Sequence, residues 1–248
     1  MRSAQAAAAR APRIVAEAYP LPEVVRQICA DEDWEAHLPL RARTAGWRVQ
    51  QAVKRGVDIV ASAAGLLVLA PVLLAIAALV WASSPGPMLY EWRVLGRRGR
   101  PFIGHKFRTM VADADALKRT IQHRNEMTGP AFKMRDDPRV TRIGRILRKY
   151  SLDELPQLWS VLKGDMSLVG PRPPSAEEFV HFAPWQRGKL AVTPGITCLW
   201  QVSGRSDIRD FDEWMRLDRR YVQEWTLWLD ARILARTLPA VIRGDGAY

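Results

Sequence analysis

From Ile59 to Tyr90 the chain carries no charged side chain, and Ile59 to Ala82 is apolar apart from Ser62 and small residues. That meets the length test for a membrane helix, which needs roughly 20 apolar residues. A buried core helix is the competing reading, and the run is too long for it. Pro71 lies in its middle. Each half is therefore about a dozen residues, roughly 18 Å if helical, and neither alone crosses a hydrocarbon core of about 30 Å. Arg43, Arg48, Lys54 and Arg55 precede the run, and Arg93, Arg97, Arg98 and Arg100 come after it. A single crossing usually collects positive charge on one side. Symmetrical flanks predict instead a helix that breaks at Pro71 and returns to the cytoplasmic face, a re-entrant hairpin whose freed backbone groups are satisfied by protein or interfacial water.

A second stretch concentrates chemistry. Val140, Ile143, Ile146, Leu147 and Tyr150 recur at spacings of three and four, with Arg142, Arg145, Arg148 and Lys149 between them. This is a cationic helix with one apolar face. It runs into Ser151-Leu152-Asp153-Glu154-Leu155-Pro156-Gln157. Either Ser151 caps the next helix in a capping box with Glu154, or Asp153 is itself the cap. Pro156 favours the second reading, because it then falls in a first turn whose N–H groups have no intrahelical partner. Asp153 at a helix start, with Arg148 upstream, is expected to stay ionised, to attract phosphate and to serve as a nucleophile. Ordinary capping chemistry accounts for the same residues locally.

Charge says which partners to expect. Lys and Arg number 37 against 26 Asp and Glu, a formal charge of +11 with pI near 10.2. Such a balance calls for anionic partners: phospholipid headgroups, nucleotides or nucleic acid. Nucleic acid is set aside, since no recognition-helix, zinc-finger or RNP-type signature is present. Cys29 and Cys198 are the two cysteines. They make no disulfide framework and no CxxC metal spacing, and the chemistry is expected to face a reducing compartment.

Three regions are expected: a variable extension over 1–45, a membrane-associated hairpin over 46–90 and a cytoplasmic catalytic domain over 91–248. The extension opens with an Ala/Arg run without the apolar core of a signal peptide and reaches the acidic Asp31-Glu32-Asp33. It is expected to be poorly structured, with one short helix around Glu23 to Ala30 and no chemistry. Beyond the apolar run, Leu95 to Phe102 reads as a hairpin loop. Lys106-Phe107-Arg108 then reads as a strand whose basic side chains point at phosphate, although a solvated basic hairpin fits as well. A helix is expected from about Ala112 to Glu126, another from Leu158 to Leu162, and a short strand over Met166 to Val169. In Gly170-Pro171-Arg172-Pro173-Pro174 the prolines stiffen the backbone of Arg172, which suits a guanidinium presented to phosphate, or simply a polyproline loop. Gln201 and Arg205 lie in a Gly-rich polar loop, a nucleotide or sugar contact. The C-terminal Trp and Arg residues on helical spacing suit helices lying in a lipid interface, or ordinary packing. The fold class expected is α+β, mostly helical, with the re-entrant hairpin, amphipathic interfacial helices and a small sheet around the active site.

Lys54-Arg55 to Asp58, Lys106 to Met110, Ser151 to Gln157, Gly164 to Pro173 and the ending Gly244-Asp245-Gly246-Ala247-Tyr248 resemble the bacterial sugar transferases. These are monotopic polyprenyl-phosphate hexose-1-phosphate transferases, or phosphoglycosyl transferases. The resemblance covers about 50–248. It implies transfer of a sugar-1-phosphate from a UDP-sugar, glucose or galactose, to undecaprenyl phosphate, releasing UMP and initiating exopolysaccharide or another lipid-linked glycan. Asp153 would attack the sugar-side phosphorus to give a covalent phosphosugar intermediate, and Glu154 would complete the dyad. Lys106, Arg108, Arg148, Arg172, Gln201 and Arg205 would bind substrate, and Mg2+ would be the cofactor, with Asp153 as its named ligand. The partners implied are UDP-sugar, undecaprenyl phosphate and membrane lipid at the cytoplasmic face of a bacterial inner membrane, and a homo-oligomer is allowed. The compact form, without the four-helix membrane extension of larger members, is expected. Cys198 stands where the family usually has glycine, Ser206 where it has asparagine, and Ala70 where some relatives have serine. Two alternatives stay open: a glycosyltransferase that releases UDP, and a non-catalytic basic membrane scaffold of a polysaccharide-synthesis complex.

Overall fold

A computed structural model describes residues 19–204 and 207–244. Arg205, Ser206 and the ending from Asp245 to Tyr248 lie outside the described residues, as do residues 1–18.

The first element is α1 (Glu23–Asp31), where the sequence places a short helix. The rest of the described extension departs from expectation, because it is built into the domain. Val25 and Trp34 are buried in one cluster with Leu95, Phe179, Phe182 and Leu190. The acidic patch supplies the electrostatic reason: Glu32 accepts from Arg187 at 3.2 Å and contacts His37 Nε2 at 2.8 Å. An acidic strap on a cationic domain finds partners that its local sequence does not reveal.

Thr44 caps α2 (Ala45–Ser83), its hydroxyl accepting from Trp47 N at 3.3 Å. This helix is long and apolar enough to cross a membrane. The backbone stays α-helical through Pro71. A proline inside a helix costs about 3 kcal/mol or more. Packing on both sides of Pro71 offsets that cost: Trp47, Asp58, Ser62, Ile76 and Val80 are all buried. Their spacings of 11, 4, 14 and 4 put them on one stripe of a 3.6-residue helix, facing the rest of the protein. The opposite stripe, including Val60, Leu67, Leu74 and Trp81, is exposed.

Polar bonds fix the N-terminal half of α2 to the domain. Asp58 Oδ1 accepts from Leu168 N at 2.9 Å and from Ser167 Oγ at 3.1 Å. Lys54 Nζ donates to Val169 O at 2.9 Å and to Asp230 Oδ2 at 2.6 Å. Arg55 donates to Val161 O and Leu162 O at 2.6 and 2.7 Å. The C-terminal half is held by apolar contact, Ile76 and Val80 clustering with Phe107 and Leu147.

Beyond α2 the chain forms two small sheets. β1 (Leu89–Leu95) and β2 (Pro101–Phe107) form an antiparallel hairpin with Trp92 opposite Gly104 and Tyr90 opposite Lys106. β3 (Ser167–Val169) pairs in parallel with β4 (Gly195–Thr197). Between them lie α3 (Ala114–Thr120), shorter than expected, α4 (Arg142–Lys149), a 3-10 helix (Leu152–Gln157) and α5 (Leu158–Lys163). Gly164, at φ 97°, ends α5 in the left-handed conformation that glycine adopts freely. The short α6 (Ala176–Phe179) and α7 (Pro184–Arg187) precede β4, and α8 (Phe211–Glu224) and α9 (Leu227–Arg243) complete the described chain. The chain is mostly helical with a little sheet, as expected. The site is assembled from pieces that α2 touches: β2, α4, the 3-10 helix and the strand leading to Arg172.

Candidate active site

The segment from α4 to the carboxylate pair is built by close approach. Thr141 caps α4, accepting from Gly144 N at 2.9 Å. A Cβ at Gly144 would collide with the Thr109 carbonyl, so glycine lets α4 lie against the end of β2. Arg148, one turn further, then donates from Nε to Thr109 Oγ1 at 3.0 Å.

Neither capping reading describes the turn between α4 and the 3-10 helix. Ser151 occupies the cap position at φ 52° and ψ 23°, without a side-chain capping bond, and Asp153 sits inside the first turn of the 3-10 helix. A left-handed serine is an unusual backbone, and such strain gathers at functional sites. It reverses the chain tightly enough to bring Asp153 and Glu154 back against β2. Lys106 Nζ there donates to Glu154 Oε1 at 2.8 Å, with the two side chains 16% and 20% exposed. Asp153 has no ion pair within 4 Å among the described residues. Its carboxyl is pushed above the ordinary aspartate value, by burial first and by the Glu154 charge second, while Lys106 and Arg148 pull it down. Burial therefore works against the ionised form expected from the sequence, while the cations that favour that form are present beside it. Burial also pushes the Arg148 guanidinium down, opposed first by Asp153 and next by Asp137.

Arg172 is half-buried between Pro171 and Pro173, its guanidinium carbon 5.3 Å from the Trp92 ring centroid and 5.8 Å from that of Trp214. It makes no hydrogen bond or ion pair to the described residues, so its donor fork is uncommitted. Its charge acts on both Arg148 and Asp218. Asp153, Glu154, Lys106, Arg148 and Arg172 thus form one neighbourhood, two carboxyls among three cations, able to receive phosphate and to offer a carboxylate to it.

Arg108 is not part of it. Its guanidinium is buried and donates to Ser84 O at 2.7 Å and to Pro85 O, clasping the chain where it leaves α2. Alternation would put Lys106 and Arg108 on one face, but β2 ends at Phe107 and the chain turns there, which sends Arg108 elsewhere. Gln201 adjoins the buried Trp200, which stacks on Trp214 at 4.5 Å; its Oε1 is buried without a partner among the described residues. Arg205 lies outside the described residues. Trp92 is the site residue that sequence reasoning passes over, and its one signal is its place in the strand that pairs with Lys106-bearing β2. Asp218 is also passed over: it pairs with Lys189 at 2.6 Å, both buried beneath Trp214.

Among the described residues no three His, Cys, Asp or Glu side chains converge as a metal cage. The adjacent carboxyls Asp153 and Glu154, whose mutual repulsion raises Asp153, are a donor set of the kind Mg2+ takes together with phosphate oxygens and water.

The model of the bacterial sugar transferase family matches residues 49–244. The galactosyl transferase CpsE of Streptococcus agalactiae is 45% identical over 194 residues, 78% of this chain and 43% of that protein. The exopolysaccharide production protein ExoY of Rhizobium meliloti is 40% identical over 199 residues, 79% of this chain and 88% of ExoY. The UDP-glucose:undecaprenyl-phosphate glucose-1-phosphate transferase of Caulobacter vibrioides is 41% identical over 204 residues, 79% of this chain and 72% of that protein. The chain thus spans less than half the length of some relatives and most of others. The matched stretch runs from the second turn of α2 to the end of α9 and contains the whole carboxylate and cation cluster, so the chain belongs to the bacterial sugar transferase family.

Proposed function

We propose that the chain transfers a sugar-1-phosphate from a UDP-sugar to undecaprenyl phosphate, releasing UMP, and so begins an exopolysaccharide or another lipid-linked glycan. The single observation that carries the reading is the division of labour in the carboxylate pair: Glu154 is engaged by Lys106, while Asp153 beside it has no ion pair among the described residues and lies in the field of Lys106 and Arg148. An uncommitted carboxylate beside cations is what in-line attack on a phosphorus requires.

In the proposed reaction an Asp153 oxygen attacks the sugar-side phosphorus, and the bond from that phosphorus to the bridging oxygen breaks to release UMP. The acyl phosphate holding the sugar is then attacked at the same phosphorus by an oxygen of undecaprenyl phosphate, which breaks the bond to Asp153. Asp153 must be ionised to begin, and Lys106 and Arg148 are the groups that favour that form. Arg148 and Arg172 balance the phosphate charges, and Lys106 holds Glu154 away from the nucleophile. Bound Mg2+, with Asp153 as protein ligand, would supply neutralisation of the diphosphate charge. UDP-glucose and UDP-galactose are the sugars to test first, since relatives are named for each hexose.

The membrane arrangement belongs to the same proposal. Both halves of α2 contact one catalytic domain, the first through Lys54, Arg55 and Asp58 and the second through Ile76 and Val80. A helix held by one domain at both ends, with the apolar stretch between Ser62 and Ile76 left unburied, suits insertion from one side, entering and leaving the cytoplasmic leaflet of the inner membrane. Trp228, Leu238 and Ile242 on α9, all exposed, with Arg232 against the Trp228 ring at 5.4 Å, suit the lipid interface.

The test uses membranes bearing the wild-type chain or Asp153→Asn, with undecaprenyl phosphate, Mg2+ and single UDP-sugars. UMP released from one sugar and lost in the variant is the expected result. UDP release would mean plain glycosyl transfer, and no nucleotide from a folded protein would favour a scaffold.

A further inference from the structure

Trp92 and Lys106 lie on the same face of the β1–β2 hairpin. Trp92 opposes Gly104, directly opposed residues share a face, and Lys106 stands two residues beyond Gly104. The indole is half-buried against Val94, Phe102, Val161 and Met166, which fix its plane. Beside that ring stand two cations, one from β2 and one from the loop after β3: the Lys106 ammonium at 4.0 Å and the Arg172 guanidinium carbon at 5.3 Å from its centroid. The electron-rich face of an indole attracts each of these cations and so favours holding them beside it. Arg172 has a second ring beside it, Trp214, itself anchored by Trp200 and by the buried Lys189–Asp218 pair. Stacking of this kind fixes a guanidinium without consuming its N–H groups, and no described residue consumes those of Arg172.

We propose that Trp92 is a positioning residue of the anion site. It holds Lys106 and Arg172 on one plate, at a fixed spacing and before substrate arrives, so that a nucleoside diphosphate meets both cations already in place. This rests on the proposed function in taking those cations to receive the diphosphate. The alternative, two mobile cations that substrate must gather, costs affinity through the ordering of each long side chain.

The experiment uses the full chain in lipid nanodiscs. UDP binding is measured by calorimetry, and UMP release from the UDP-sugar by steady-state kinetics. Trp92→Leu is expected to weaken UDP about tenfold and Trp92→Phe by less than about threefold, in line with the range of cation–π strengths. The loss should appear in KM for the UDP-sugar, with kcat little changed. In an Arg172→Ala background the loss caused by Trp92→Leu should shrink to the share that passes through Lys106, because one of the two cations on the ring is gone. Equal losses for Leu and Phe, or an undiminished loss in the Arg172→Ala background, would overturn the proposal, since both are what simple packing would give. Should Trp92→Leu fail to fold, fluorinated tryptophans at position 92 alone drain the ring face while keeping its shape. UDP affinity falling with each fluorine supports the proposal, and a flat series overturns it. A chain that binds UDP with this trend yet releases no UMP would leave the positioning role standing and remove the transferase reading. UMP release with a flat series would do the reverse.

Discussion

Lys106 Nζ sits 2.8 Å from Glu154 Oε1, so the ammonium of β2 pairs with the second carboxyl of the dyad and leaves the first without a salt bridge among the described residues. Adjacent residues in a 3-10 helix project in different directions, and the Lys106 ammonium pairs with Glu154. Lys106→Met should therefore do two things: remove a cation from the phosphate site and release Glu154. Loss of one preorganised charged donor at a reacting phosphate costs about 10²- to 10³-fold in kcat. The check is the initial rate of UMP release at saturating UDP-sugar. A drop of less than threefold would show that Lys106 serves the fold alone.

Asp153→Asn should abolish turnover and yet raise thermal stability near neutral pH. The Asp153 carboxyl is raised in the folded protein, chiefly by burial and then by Glu154. Between the ordinary aspartate value and that raised value the folded state holds a proton that the unfolded state has lost. Stability contributed by this group is therefore full at low pH and declines as pH climbs through the window. Asparagine has no such proton to lose. Melting temperature measured from pH 4 to 8 should fall less steeply for the variant, with a difference of about 2–4 °C per kcal/mol for a chain of this size. Parallel curves for the two proteins would contradict the raised carboxyl.

The long helix, the hairpin, the cationic helix and the dyad are legible in the sequence because each depends on local pattern: apolar length, alternation, 3.6-residue spacing and a turn signal. Pro71 does not end the α-helical backbone of α2, because partners distant in sequence, Phe107 and Leu147 among them, hold the residues beyond it. The acidic strap around Glu32 is hidden for the same reason, since its partner Arg187 is remote. Arg108 and Lys106 read identically as basic residues of one strand, and only the turn of the chain after Phe107 sends one to Ser84 and the other to Glu154. Trp92 gives no local signal of its role, because its value lies in the two cations that converge on it.

Arg108→Ala should behave as a stability variant. Its buried guanidinium bonds the carbonyls of Ser84 and Pro85, and charged hydrogen bonds of this kind are worth about 1.5–3 kcal/mol each. At the slope expected for a chain of this size, losing both should lower the melting temperature by roughly 6–24 °C. KM for the UDP-sugar, measured well below the new melting point, should stay within about threefold of wild type. A large KM effect with an unchanged melting temperature would return Arg108 to the substrate site.

Both flanks of α2 should lie on one side of the membrane. Lys54 and Asp58 bond to Val169, Leu168 and Ser167 in and beside β3, whereas Arg108 clasps Ser84 and Pro85 just beyond the other end of the helix. The hairpin bearing Lys106 and the loop bearing Arg172 meet on Trp92, so both anchoring points belong to one body that must sit in water to meet a nucleotide. A straight crossing would need one of these sets of polar bonds to break or to lie in hydrocarbon, where each unsatisfied group costs several kcal/mol. Single cysteines at Val49 and Met88, exposed by 62% and 42%, can be introduced into a chain whose Cys29 and Cys198 are replaced by serine. A membrane-impermeant maleimide should label both in inside-out vesicles and neither in intact spheroplasts. Labelling of the two positions from opposite sides would mean that α2 spans the bilayer and that the contacts at one of its ends are absent in the membrane.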